Sequence, residues 1–204
     1  MPFDDDLARG VRTLSRRDPV LRPIIRRHGV PTFAPHTGYF DSLVDAIISQ
    51  QISGRAAATI LERMRGALGE GYGPEILTRA PDEILRAAGV SPQKLGYLRS
   101  FCEHIGDGRL DLEGLAALDD EEIIAHLTAI RGIGVWTAQM FLIFSLGRLD
   151  VLPSADLGVR KGTRIAYRFE DLPLPAQVEH LAIERRWAPY RSIAAWYLWR
   201  ATES

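Results

Sequence analysis

Apolar residues recur at helical spacing along almost the whole 204-residue chain, and no run longer than about four residues alternates apolar and polar side chains as a half-buried strand would. From Gly54 to Leu68 the residues Ala57, Ile60, Leu61, Met64 and Leu68 follow the i, i+3, i+4, i+7 pattern, and Ser53 stands where an N-cap is needed. Asp41 is expected to cap a preceding helix that carries Leu43, Ile47 and Ile48. Pro81-Asp82-Glu83 opens a short helix that Gly89 closes, and Ser91-Pro92 supplies a cap and first-turn proline for another bearing Leu95, Leu98, Cys102 and Ile105. Asp119 with Glu122 makes a capping box before Ile123, Leu127 and Ile130. Val151-Leu152-Pro153 is ended by its proline. The expected fold class is therefore all-α, with about ten short helices.

Composition narrows the class further. At 46% hydrophobic residues the chain can bury a real core, and its length fits one domain spanning 1–204. Cys102 is the only cysteine, which excludes an internal disulfide and an Fe–S cluster held by protein thiolates. His36, His104, His126 and His180 lack metal-ligand spacing, so no catalytic transition metal is indicated. The acidic start Met1-Pro2-Phe3-Asp4-Asp5-Asp6 and the absence of a long apolar run argue against a signal peptide and a membrane span, so a cytoplasmic protein is expected.

Charge gives a misleading first impression. The sum of 25 Lys+Arg and 26 Asp+Glu is −1, where binding of a nucleic-acid backbone ordinarily calls for a basic excess. The charges are blocked, however. Arg9, Arg12, Arg16, Arg17, Arg22, Arg26 and Arg27 crowd the first forty residues, and segment 107–122 is acidic apart from Arg109. Lys94 and Lys161 are the only lysines.

The most informative segment runs from Leu127 to Lys161. Arg131-Gly132-Ile133-Gly134 is a short turn between a helix ending at Ile130 and one starting at Val135, which places Ala138, Phe141, Leu142 and Ser145 on one face. Glycines at 132 and 134 permit positive φ and let another backbone approach. The N–H groups opening the second helix can hold a phosphate without side-chain charge. A tight interhelical connection has the same local pattern.

GIGVWTA, followed by Asp150-Val151-Leu152-Pro153-Ser154-Ala155-Asp156, resembles the helix-hairpin-helix DNA glycosylases, specifically the AlkA type of 3-methyladenine DNA glycosylase. Ile48-Ser49-Gln50-Gln51-Ile52-Ser53 and Trp187-Ala188-Pro189-Tyr190-Arg191-Ser192 through Trp199 extend the likeness over residues 36–200. The resemblance implies two helical lobes with an active-site cleft between them: a central lobe at about 42–145, and a second built from the N- and C-terminal helices. It also implies the compact form, since only the first 35 residues precede the matching segments.

Residue by residue, the resemblance makes Asp156 the catalytic carboxylate and gives Asp150 a structural role. Trp136, Met140 and Trp199 become walls of a base pocket, and Trp187 and Trp196 core residues. Aromatic walls suit cationic alkylated bases such as 3-methyladenine and 7-methylguanine through a cation–π term. Members that also cut the strand carry a lysine where this chain has Trp136, so a monofunctional enzyme is implied. Gln51 aligns with the side chain that fills the gap left by a flipped base, with Ile52 beside it as the alternative.

Gly132, Gly134 and Val135 are expected to bind DNA phosphate, and the carbonyls of Thr128, Ile130 and Ile133 to hold Na⁺ or K⁺. No other cofactor is required. Lys94 and Arg191 fit either phosphate contact or structural pairing. The expected partner is double-stranded DNA containing damaged bases, met by a monomer that associates with the nucleoid through DNA. Ethenoadenine, hypoxanthine or oxidised purines are alternative substrates, and a non-catalytic hairpin module that only grips DNA is the alternative class. The acidic segment 107–122 is expected to face away from the duplex.

Overall fold

The computed structural model describes residues 2–203, and among them there are twelve α-helices and no strand. In chain order these are α1 (Pro2–Arg17), α2 (Leu21–His28), α3 (Tyr39–Ser49), α4 (Gly54–Leu68), α5 (Pro74–Arg79), α6 (Asp82–Ala88), α7 (Pro92–Gly106), α8 (Asp120–Thr128), α9 (Val135–Phe144), α10 (Leu157–Tyr167), α11 (Pro175–Glu184) and α12 (Arg191–Ala201). A 3₁₀ turn at Gly114–Ala117 precedes α8. The helices pack as two bodies, one from Met1–Pro35 with Leu142–Ser204, the other His36–Phe141. No helix is long and apolar enough to cross a membrane among the described residues.

Local caps set the helix starts in the His36–Phe141 body. Ser53 accepts the Ala56 N–H, Ser91 accepts the Lys94 N–H, and Asp119 and Glu122 exchange reciprocal bonds as a capping box. Gly89 ends α6 in the left-handed region. Asp41 does not cap α3; Gly38 holds that position and Asp41 lies in the first turn. The core of this body places Leu43, Ile47 and Ile48 of α3 against Leu98 and Phe101 of α7, all fully buried, at about 1.5–3 kcal/mol of transfer free energy each.

Two cations close helix ends here. Arg99 donates to the carbonyls of Leu77, Thr78 (2.9 Å) and Ala80 (2.5 Å) at the end of α5, and to the Asp82 carboxylate (2.7 Å). Lys94 Nζ donates to the Ile48 carbonyl (2.6 Å) in the last turn of α3, where an orphan acceptor needs a donor. Partial burial lowers the Lys94 pKa. Of the two roles open for Lys94, the structure shows pairing with the backbone.

The other body is built around α12, whose residues Ser192 to Leu198 are all buried. Asp18, fully buried between α1 and α2, accepts from four donors: the backbone N–H groups of Val20 (2.9 Å) and Leu21 (3.1 Å), Trp187 Nε1 (2.8 Å) and the Tyr167 hydroxyl. A buried carboxylate persists only when satisfied in this way. Burial, reinforced by the neighbouring Asp18, pushes the Tyr167 hydroxyl pKa well up and keeps it a donor. Arg191 forms a fork with Asp150, Nε to Oδ1 at 2.8 Å and Nη2 to Oδ2 at 3.0 Å, so Arg191 too is structurally paired.

α10 and α12 meet through glycine. A Cβ on Gly162 would lie 1.9 Å from the Leu198 carbonyl oxygen, and one on Gly158 would lie 2.7 Å from Trp199 Cδ1. The spacing Gly158-x-x-x-Gly162 puts both glycines on one helix face and lets the helices approach backbone to backbone.

Candidate functional site

That approach fixes the position of Asp156. It precedes α10 as its N-cap, with Oδ1 accepting the Val159 N–H at 2.8 Å and the Trp199 Nε1–H at 2.7 Å. The Asp156 N–H donates to the Pro153 carbonyl (3.0 Å), which sets the bend of Pro153-Ser154-Ala155 ahead of the helix. Two donors on one carboxylate oxygen fix the plane of the half-buried group.

The indole that provides one of them is itself braced. Trp199 stacks on Phe144 with centroids 5.7 Å apart and planes at 29°, Phe33 meets Phe144 edge-on at 5.7 Å, and Phe3 meets Phe33 at 6.0 Å. Such pairs contribute about 0.5–1.5 kcal/mol each beyond burial. Phe3 and Phe33 belong to the segment ahead of the matching motifs, so the start of the chain supports the carboxylate site.

In the His36–Phe141 body the hairpin joins α8 to α9. Gly132 adopts φ +91°, and a Cβ there would fall 2.2 Å from the Tyr97 ring, so both backbone and space demand glycine. The Gly132 carbonyl accepts Gln50 Nε2–H at 2.8 Å, and the Arg131 N–H donates to Ser100 Oγ at 3.2 Å. Gly134 does not use the freedom that both glycines have. It has no positive φ, and a Cβ there meets nothing within 4 Å. The hairpin is thus clamped behind by Gln50, Ser100 and Tyr97 and open in front, where Val135 is 54% and Trp136 50% exposed.

Met140 lies one turn beyond Trp136 on α9 and is half-buried. The Ile130 carbonyl accepts the Ile133 N–H at 3.1 Å, and Thr128 Oγ1 turns back to the Ile124 carbonyl at 2.7 Å, so a cation here would be held by main-chain oxygens alone. Such hard oxygen donors suit an alkali cation. Among the described residues no group of three His, Cys, Asp or Glu side chains could hold a metal.

The α3–α4 turn carries a backbone outlier. Gln51 sits at φ +57° with its side chain exposed, and Ile52 is 38% exposed instead of packed into the core. Gln51 projects outward while its neighbour Gln50 braces the hairpin. Gln50 is a supporting residue that sequence pattern alone did not single out, because its partner is 82 positions away. The structure therefore groups Asp156 with Trp199 in one body and the Gln50–Ile52 turn with the hairpin in the other.

The His36–Phe141 body thus carries a buttressed hairpin with an open front, and the other body a capped aspartate beyond a Val-Leu-Pro segment. The model of the HhH-GPD superfamily of base excision DNA repair proteins matches residues 44–189, and the chain belongs to this superfamily. Among its relatives, DNA-3-methyladenine glycosylase 1 of Schizosaccharomyces pombe is 39% identical over 168 residues, 80% of this chain and 72% of that protein. The solved structure of DNA-3-methyladenine glycosidase from Bacillus halodurans superposes with a TM-score of 0.85 at 39% identity, over 96% of this chain and 89% of the other. The Schizosaccharomyces pombe 3-methyladenine DNA glycosylase in complex with abasic DNA gives 0.85 at 34% identity, covering 96% and 97%.

Proposed function

We propose that this protein is a monofunctional DNA glycosylase that excises alkylated bases, 3-methyladenine and 7-methylguanine among them, and leaves an abasic site. The observation that carries this is the Asp156 carboxylate, held by the Val159 and Trp199 N–H groups at the head of α10. As the N-glycosidic bond breaks, positive charge grows on the deoxyribose. Asp156 stabilises that charge and takes the proton of the attacking water. The departing base carries the bonding electrons, and the water oxygen ends on C1′. A positively charged alkylated purine leaves readily, so selectivity rests partly on the lesion itself.

Trp136 offers its exposed indole to the extruded base, with Met140 one turn behind, and the Gly134–Val135 edge of the hairpin offers backbone N–H groups to phosphate. A Na⁺ or K⁺ ion at the carbonyls of Thr128, Ile130 and Ile133 would neutralise part of the adjacent phosphate charge. The similarity to a glycosylase solved with abasic DNA supports duplex DNA as the partner. The protein acts as a cytoplasmic monomer.

With Trp136 where strand-cutting relatives place lysine, no Schiff base forms. Incubation with duplex containing 7-methylguanine should give strand breaks only after alkali, and borohydride should trap no covalent adduct. Breaks without alkali, or a trapped adduct, would assign a lyase step.

Gln51 fills the gap behind the flipped nucleotide. A non-glycine residue at φ +57° costs about 1 kcal/mol, so Gln51→Gly should raise stability by up to that amount. The same variant should lower excision about tenfold, because the unstacked gap goes unfilled. Raised stability with unchanged excision would make Gln51 a turn residue only. Thermal melting and single-turnover kinetics measure the two effects separately.

A further inference from the structure

α10 carries Arg160, Lys161 and Arg164, with Arg168 at its C-cap, and contains no acidic residue. Arg160 turns inward, its Nε donating to the Pro173 carbonyl at 2.7 Å. The other three are exposed and recur at i, i+3 and i+7, which places them on one helix face. Val159, Gly162 and Thr163 form the opposite, buried face. None of the three cations has a carboxylate within 4.0 Å among the described residues, unlike Arg200, which pairs with Glu203, or Arg191, which pairs with Asp150.

Leu157 and Ile165, each about half-exposed, flank the stripe. Leu157, Gly158, Lys161, Arg164, Ile165 and Thr202 line an open groove of about 470 Å³. Gly158, at one end of that lining, lies beside the carboxylate: a Cβ on it would stand 3.0 Å from Asp156 Oδ1.

A carboxylate that works on DNA must approach a sugar with a phosphate on either side, and that approach is repulsive unless cations lie alongside. From Lys161 to Arg168 the helix advances about 10 Å. One DNA strand presents about three phosphates over that length. The flanking leucine and isoleucine suit the apolar edges of the intervening sugars.

We propose that the Lys161, Arg164 and Arg168 face of α10 grips the phosphate backbone of the damaged strand beside the target nucleotide. This rests on the glycosylase reading above. It also answers the near-zero net charge, since a few unpaired cations along the helix that Asp156 opens suffice where a general basic excess is missing.

Binding to duplex containing a tetrahydrofuran abasic analogue, followed by fluorescence anisotropy across a salt series, tests the proposal. The triple variant Lys161→Gln, Arg164→Gln, Arg168→Gln should make the slope of log K against log salt shallower by two to three, at about 0.9 per lost phosphate contact. Arg164→Gln alone should shift it by about 0.9. Arg12→Gln with Arg16→Gln, exposed cations on α1, should leave it unchanged. Wild-type binding with an unaltered slope in both α10 variants overturns the stripe. Failure of the wild-type protein to bind the duplex at low salt overturns the glycosylase reading and the stripe with it.

Discussion

Asp156→Asn is expected to lose about 10²–10⁴-fold in excision rate while melting within a degree or so of the wild type. The separation is possible because Asp156 does two jobs with one oxygen. An asparagine Oδ1 still accepts the Val159 N–H that caps α10 and the Trp199 Nε1–H. Asparagine ranks with aspartate as an N-cap, so the helix keeps its start and the indole its anchor. What disappears is the negative charge that the proposed mechanism sets against the sugar, and with it the site proposed to take a proton from water. Asp156→Ala should behave differently. It loses the charge and the cap together, and it leaves the indole N–H without this acceptor, at a cost of about 1–2 kcal/mol in stability. Near-wild-type excision in the asparagine variant would move catalysis to another carboxylate, and a stability loss equal to that of alanine would show that the cap depends on charge.

The second large effect is expected at a residue that touches no reacting atom. Gly162→Ala places a methyl group 1.9 Å from the Leu198 carbonyl oxygen and 2.5 Å from its carbon. Both belong to the backbone of α12, so no side chain can swing aside, and the two helices must part. A loss of about 3 kcal/mol follows, at the upper end of overpacking penalties. For a chain of this size that lowers Tm by about 6–12 °C. Parting α10 from α12 also draws Trp199 away from Asp156, so excision should fall below what the lower stability explains. Calorimetry with single-turnover kinetics at a temperature where the variant is folded reads both. An unchanged Tm would mean that α12 slides without cost and that the Gly158–Gly162 pair does not set the site.

Most helix starts could be read from the sequence because capping is local. Ser53, Ser91 and the Asp119–Glu122 box act within three residues of themselves, and Gly89 ends α6 by its own backbone geometry. Asp41 misled for the same reason: it has the right chemistry for a cap, but Gly38 already occupies the cap position. Gly132 and Gly134 look alike in the sequence, yet only Gly132 needs positive φ, because the Tyr97 ring lies against it.

What depended on distant partners was not legible. Asp18 sits after Arg16-Arg17 and counts as one more surface charge until Tyr167 and Trp187, 149 and 169 residues away, are brought to it. The bracing of Trp199 by Phe144 and Phe33 likewise joins three separated segments. The Gly-x-x-x-Gly spacing on α10 was visible, but its meaning required knowing that α12 crosses there. The motif pointed to Asp156, but that it caps α10 and holds the Trp199 indole could not be read from it.

The most direct test is chromatographic identification of the base released when the protein is incubated with duplex DNA treated with a methylating agent. The wild type is expected to release free 3-methyladenine and 7-methylguanine, and Asp156→Asn almost none at equal DNA binding. Release of neither base by the wild type, or equal release by the variant, would contradict the proposed function.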